Sequence, residues 1–170
     1  ARYLGVVLHL NNGWLYNILT FFEIALTHLM LCHFIRKLPN KIKIVVPISA
    51  CICYILFFTE LLIKTQGYFV LTTNVLGINL VVLSWYYYYL LIQAPGIIVV
   101  KRHPEFWFVA GLLLFYFGGT IVNLFYGKFS FIVFGSKTLR VLIYHMLIAT
   151  LYSFWSYSFI CRQQNRKLHL

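Results

Sequence analysis

The sequence predicts an all-α fold, a polytopic transmembrane helix bundle, and three observations support that prediction. Of the 170 residues, 62% are hydrophobic and 10% are charged, which is too little polar surface to cover a soluble globule of this size. The apolar residues are gathered into five segments of about 20 residues, the length that crosses a bilayer as a helix. Within them, runs such as IVVPISACICYILFF do not alternate polar with apolar residues, so barrel strands are not expected.

The five predicted spans follow one another along the chain, which is predicted to form a single transmembrane domain over residues 1–170. Each span is bounded by charged residues, Pro or Gly. Before them, the first ten residues are apolar but too short to span, and they are predicted to be the tail of an upstream helix or a short interfacial segment. The spans cover about residues 13–35, 43–64, 72–93, 105–127 and 138–161.

The segment of about residues 95–103 is predicted to lie along the membrane interface, because it is apolar and then carries Lys101 and Arg102 at headgroup level. The next residues have the composition of a helix start. Pro104 suits the first helical position, Glu105 the positive first turn and Trp107 the interfacial belt. We therefore interpret Glu105 as structural rather than catalytic.

The basic residues predict the orientation of the chain. Nine of the 14 Lys and Arg fall in the linkers 36–43 and 94–104 and in the tail after residue 161. By the positive-inside rule these parts, including the C-terminus, are cytoplasmic and Ala1 lies on the outer face. If a further helix precedes Ala1, there are six spans with both ends inside. The formal charge of +11 is explained by the orientation of the chain in the membrane and by contact of its basic residues with anionic headgroups. Binding to nucleic acid is not expected.

Three stretches resemble an orphan class of small bacterial inner-membrane proteins. They are NNGWLYNILTFFE, YYYYLLIQAP and HPEFWFVAGLLLFYFGG, which follow patterns like N-x-x-[IL]-Y-N-[IL]-x-x-x-x-E and P-x-F-W-x-x-x-G. The resemblance covers most of the chain. It implies an integral protein of the bacterial inner membrane and brings no catalytic residue with it.

The first span contains a polar stripe centred on Glu23. On a helix with about 100° per residue, five polar side chains point within about 40° of the direction of Tyr16: Asn12, Tyr16, Thr20, Glu23 and Thr27. Lipid cannot satisfy these groups, so the stripe is expected to face other helices or a wet cavity. Glu23 is either a proton or cation site or a protonated side chain that bonds to a neighbouring helix.

Histidines relate to this stripe in two ways. His28 and His33 lie outside it, which argues against a metal site on this helix alone. His145 of the fifth span is a candidate partner for Glu23, because both are expected at intermediate depth.

Small and polar residues form packing stripes on the later spans. Gly77 and Ser84 line one face of the third span, Gly111 and Gly118 of the fourth, and Ala149, with His145, of the fifth. Separately, Glu60 precedes Lys64 by one helical turn, and the two are predicted to form an ion pair that reaches the interface.

The function that the sequence favours is a non-catalytic subunit or sensor module of a larger membrane complex. No catalytic constellation or metal-ligand spacing occurs, and the loops are too short for a substrate domain, so no enzyme, cofactor or metal is predicted. The expected partners are the bilayer and other membrane subunits or further copies of the chain. The alternative is a small proton- or cation-coupled channel or transporter that uses Glu23.

Overall fold

The computed structural model describes residues 13–36, 44–63, 67–94, 102–125, 133–134 and 137–167. These residues form five α-helices, which confirms the all-α class, and one short antiparallel pairing of Val133–Phe134 with Lys137–Thr138 (β1 and β2) directly before the last helix. The helices are α1 Gly13–Arg36, α2 Val45–Ile63, α3 Val70–Gln93, α4 Pro104–Leu124 and α5 Leu139–Lys167. The apolar segment 1–10 and most of the predicted interfacial segment lie outside the described residues.

Four of the helices, α1 to α4, are long and apolar enough to cross a membrane. This makes the chain an integral membrane protein of helical type. α5 is longer, at 29 residues, yet it is less apolar. Arg140, His145, several tyrosine and serine residues and the polar end RQQNRK dilute its leucines and isoleucines. All five predicted spans are therefore helical, and four of these helices have the length and the hydropathy needed to cross a membrane.

The helix bounds differ from the sequence prediction mainly in α5. This helix continues to Lys167, six residues past the predicted end, through RQQNRK. Arg, Gln and Lys are good helix formers, and Arg166 and Lys167 in the last turn suit the negative end of the helix dipole. α3 begins at Val70, slightly earlier than predicted, for a reason that involves Glu60 and is given below.

The chain divides into two compact units, with the boundary inside α3 between Asn79 and Leu80. In the first unit α1 packs against α2. The buried residues of α1 recur every three or four positions and form one helical face: Gly13, Asn17, Thr20, Ile24, Thr27, His28, Leu31, Phe34 and Ile35. The centre of this face lies about 65° around the helix from the predicted polar stripe, so only part of that stripe is buried.

The second unit contains an antiparallel pair of helices, α4 and α5. Gly118 of α4 lies against Leu147 of α5, and Gly111 lies against Leu151 and Phe154. Nearer the start of α4, the rings of Phe108 and Trp155 stack with their centroids 4.7 Å apart. Glycine on one helix and large side chains on the other allow the two backbones to approach closely.

The outward faces of the helices carry large apolar side chains, as expected of helices surrounded by lipid. More than half of the side-chain surface is exposed for each of the following: Trp14, Leu19, Phe22, Leu26, Leu29, Ile52, Ile55, Leu62, Leu71, Ile78, Val82, Trp85, Tyr89, Ile92, Phe117 and Phe159.

Candidate functional site: polar contacts within the helices

The predicted polar stripe of α1 is divided between buried and exposed positions. Thr20 and Thr27 are buried, Glu23 is half-buried and Tyr16 is exposed, while Asn12 lies outside the described residues. The two threonine hydroxyls donate to their own helix, Thr20 to the carbonyl of Tyr16 at 3.0 Å and Thr27 to that of Glu23 at 2.6 Å. Such bonds satisfy a hydroxyl in an apolar environment without a second helix. The threonines therefore do not need the interhelical partners that the sequence suggested.

His145 is exposed on α5, and its Nδ1 bonds to the carbonyl oxygen of Val141 at 2.6 Å. Because a carbonyl can only accept, Nδ1 carries the hydrogen and Nε2 is left as an acceptor. Within the described chain, Nε2 has no hydrogen-bond partner. Glu23 belongs to the first unit and His145 to the second, so their pairing stays a prediction.

Asn17 is the residue that joins α1 to the segment before α3. Its Nδ2 donates to the carbonyl of Gly67 at 2.9 Å, and its Oδ1 accepts from the backbone N–H of Phe69 at 3.1 Å. The two backbones also meet, because a Cβ added at Gly13 would lie 2.8 Å from the carbonyl carbon of Gly67. Asn17 is 8% exposed. One side chain thus satisfies a backbone donor and a backbone acceptor in the segment just before α3.

Glu60 caps the first turn of α3. Its carboxylate accepts from the backbone N–H of Thr72 at 2.7 Å and from that of Leu71 at 3.4 Å, and the residue is only 5% exposed. These N–H groups lie in the first turn of α3, where no carbonyl of the helix can bond to them and where the helix dipole favours negative charge. The carboxylate of Glu60 thus bonds to the backbone at the start of α3, which the sequence did not predict. The predicted ion pair with Lys64 stays a prediction, because Lys64 lies outside the described residues. The cap also explains the early start of α3 at Val70.

Three helices meet in a buried polar cluster formed by His28 of α1, Cys53 of α2 and Asn79 of α3. Asn79 Nδ2 lies 3.0 Å from His28 Nε2 and donates to Cys53 Sγ at 3.3 Å. His28 Nδ1 lies 2.8 Å from the carbonyl oxygen of Ile24, so Nδ1 carries the hydrogen and Nε2 accepts from the amide. We call these three residues the HNC cluster.

Sequence reasoning missed the HNC cluster, Asn17 and the role of Glu60. A weak signal existed for α1, since Asn17, Ile24, His28 and Leu31 share a helical face. That face contains more bulky apolar residues than the stripe around Glu23. Which face of α1 is buried therefore follows the volume of its apolar side chains rather than the number of its polar groups. For Cys53 and Asn79 the sequence offered no signal, because their pairing depends on how three helices associate.

The predicted packing residues fall into two groups. Gly77 and Ser84 of α3 are buried, and the Ser84 hydroxyl donates to the Leu80 carbonyl of its own helix at 2.7 Å. Gly111 and Gly118 contact α5 as described above, whereas Ala149 is exposed on the face of α5 that points away from α4.

The predicted interfacial residues lie around the first turn of α4. His103 caps this helix, since its Nδ1 accepts from the backbone N–H of Phe106 at 3.3 Å, and Glu105 lies in the first turn with Oε2 3.5 Å from the same nitrogen. Trp107 packs on α5, with its ring 4.9 Å from that of Tyr157. Arg102 is exposed, and its carbonyl accepts from Asn165 of α5 at 2.9 Å. Lys101 lies outside the described residues.

In the described residues, no group of three or more His, Cys, Asp and Glu side chains is placed to hold a metal ion. The fold and these contacts define a helical integral membrane protein with polar groups engaged between and within its helices. Comparison with models of protein families, with curated proteins and with solved structures finds no match to the chain.

Proposed function

We propose that this chain is a non-catalytic subunit of a larger assembly in the bacterial inner membrane, and that α5 is its fifth span and its packing surface. One observation carries the proposal. The face of α5 opposite α4 is exposed and contains His145, Ala149, Tyr152, Ser153 and Ser156 beside the apolar side chains of Leu142 and Ile160. The other face contains the residues that contact α4, such as Leu147, Phe154 and Ser158.

The small and polar positions of this face are unsuited to lipid. An imidazole with an unpaired acceptor costs free energy in hydrocarbon, and small residues expose helix backbone that lipid chains pack against poorly. Both costs are removed when a second helix packs closely on the face and bonds to His145. The occupant is a helix of another membrane subunit or of a second copy of the chain.

The polar groups of the first unit support a structural role for the rest of the chain. Asn17 and Glu60 bond to backbone N–H groups, and the threonines of α1 bond to their own helix. Each of these bonds stabilises the helices themselves. By the distribution of basic residues, the C-terminus is cytoplasmic.

The proposal is tested by extracting the protein in a mild detergent and measuring its native mass. We expect an assembly larger than one chain of 20.0 kDa. Ser153→Leu should dissociate it, because a leucine prevents close approach of a helix to this face. The matched control is Thr59→Leu on the exposed face of α2, where the hydroxyl also bonds to its own helix, to Leu56 at 2.8 Å. A monomer in the unmodified protein overturns the proposal.

The transport alternative is decided by the same preparation in proteoliposomes. Under the subunit proposal, proton or cation flux is absent, and Glu23→Gln changes nothing. A flux that is present in the native protein and lost in Glu23→Gln would replace the subunit proposal with a channel or transporter.

A further inference from the structure

We propose that the HNC cluster is a binding site for one soft monovalent metal cation, Cu(I) or Ag(I), held between α1, α2 and α3. The first argument is the position of its donor atoms. His28 Nε2 and Cys53 Sγ both contact one atom, the amide nitrogen of Asn79, which lies 3.0 Å from Nε2 and 3.3 Å from Sγ. Imidazole nitrogen and cysteine sulfur are the donors that soft monovalent metals prefer.

The second argument is the orientation of the histidine ring. His28 donates its Nδ1 hydrogen to the Ile24 carbonyl at 2.8 Å, which leaves the lone pair of Nε2 directed at the Asn79 amide that also contacts Cys53. Histidines that bind metals are held in the same way, with the second ring nitrogen donating to a carbonyl or carboxylate. The ring is therefore already in the tautomer and orientation that a ligand requires.

Charge selects a monovalent ion. His28 is 3% exposed and Cys53 is 1% exposed, so an unbalanced charge at this place would be costly. A monovalent cation on a cysteine thiolate and a neutral imidazole gives a site with no net charge. A divalent ion such as Zn(II) would leave one positive charge, and the described residues place no further acidic or sulfur ligand beside the pair to neutralise it.

Binding requires one proton to leave and no change in oxidation state. The metal forms bonds to Cys53 Sγ and His28 Nε2, the Cys53 S–H bond breaks, and the proton passes to the buffer. Asn79 is less buried than the other two residues, and its amide must rotate away from the point between them. After rotation its Oδ1 can serve as a third, weaker ligand.

The test uses Ag(I), which does not oxidise thiols, titrated calorimetrically into the detergent-purified full chain in chloride-free buffer. The chain has four cysteines, so the titration is made on a variant in which Cys32, Cys51 and Cys161 are replaced by Ser. We expect one Ag(I) bound per chain and one proton released, measured in buffers of different ionisation enthalpy. Failure of this variant to bind Ag(I) overturns the proposal.

Matched substitutions in the native background locate the ion. Cys53→Ser should remove the tightest site while Cys51→Ser, two residues away on the exposed face of α2, should retain it. His28→Gln should weaken binding by about tenfold or more, and His33→Gln on the exposed face of α1 should not. Equal binding by the two cysteine variants means adventitious thiol chemistry and overturns the proposal.

The folding of the Cys53→Ser variant is checked by gel filtration and thermal melting. Because a serine hydroxyl can still accept from Asn79, loss of folding is not expected. X-ray absorption on the variant that retains only Cys53 should show both sulfur and nitrogen ligands, and sulfur alone would also overturn the site.

Discussion

Asn17 makes its two hydrogen bonds to backbone groups that have few alternatives. Replacing it by leucine keeps the side-chain volume similar but leaves the Phe69 N–H and the Gly67 carbonyl without their partner. An unsatisfied buried group costs about 1–3 kcal/mol, and of the two groups Phe69 is buried while Gly67 is half-exposed, so we expect Asn17→Leu to lower the free energy of unfolding by about 1–3 kcal/mol. Unfolding by SDS in mixed micelles, followed by tryptophan fluorescence, measures the change.

The control for Asn17→Leu is Ile18→Ala, at the next position of α1, which is exposed. This substitution should change the free energy of unfolding by no more than about 0.5 kcal/mol. Equal effects of the two substitutions would contradict the role assigned to the Asn17 bonds, because the loss would then come from general perturbation of α1.

At the scale of single residues, the sequence predicted which polar side chains share a face of α1 better than it predicted the groups to which they bond. Helical spacing placed Thr20 and Thr27 on a common face, and both are buried. It also excluded His28 from that face, although His28 is buried in a cluster of its own. Angular position on one helix follows from spacing alone. The burial of that position depends on which neighbouring helix arrives there, and this depends on the shapes of many apolar side chains.

Among the elements, the α4–α5 pair offers two adjacent glycines that differ in their surroundings. A Cβ at Gly118 would lie 2.6 Å from Leu147, whereas the nearest atom to a Cβ at Gly119 is 3.8 Å away, on Tyr144. We expect Gly118→Ala to destabilise the protein by about 0–2 kcal/mol, because overpacking against the end of the Leu147 side chain outweighs the gain in helix propensity. Gly119→Ala should be neutral or stabilise by up to about 1 kcal/mol, because alanine favours the helix. The same SDS unfolding assay compares them.

A double substitution tests whether Leu147 is the cause. Shortening this side chain in Leu147→Ala provides room for the new methyl group, so Gly118→Ala should cost less in that background than alone. Additive effects would mean that the methyl group at position 118 disturbs something other than the contact between α4 and α5.

At the scale of elements, the sequence predicted the helices well and their ends less well. Long apolar runs bounded by charge, Pro or Gly fix the existence of each helix. The end of α5 was predicted at about residue 161 because hydropathy falls there, yet the helix continues through polar helix formers to Lys167. The pairing of β1 with β2 was not predicted, since it involves only two residues from each strand and such short pairings have no sequence periodicity.

For the whole molecule, the number of spans and their direction can be tested with reporters that are active on only one side of the membrane. If α5 spans, a reporter inserted between α4 and α5 and a reporter placed after Lys167 should lie on opposite sides, with the second in the cytoplasm. Alkaline phosphatase and a fluorescent protein, fused at the same two positions, give opposite readouts. Equal activity at both positions would show that α5 lies along the interface, and the proposed packing surface would then not be within the bilayer.

The bond between Asn17 and Gly67 links residues 50 positions apart in the chain. During synthesis at about 5–20 residues per second, α1 therefore leaves the ribosome about 3–10 s before its partner does. Throughout that interval the Asn17 amide needs water, a lipid headgroup or the insertion machinery to satisfy it. The bond between Asn17 and Gly67 forms only after residue 67 has left the ribosome. The contact between α1 and the start of α3 is therefore made late in the synthesis of the first unit.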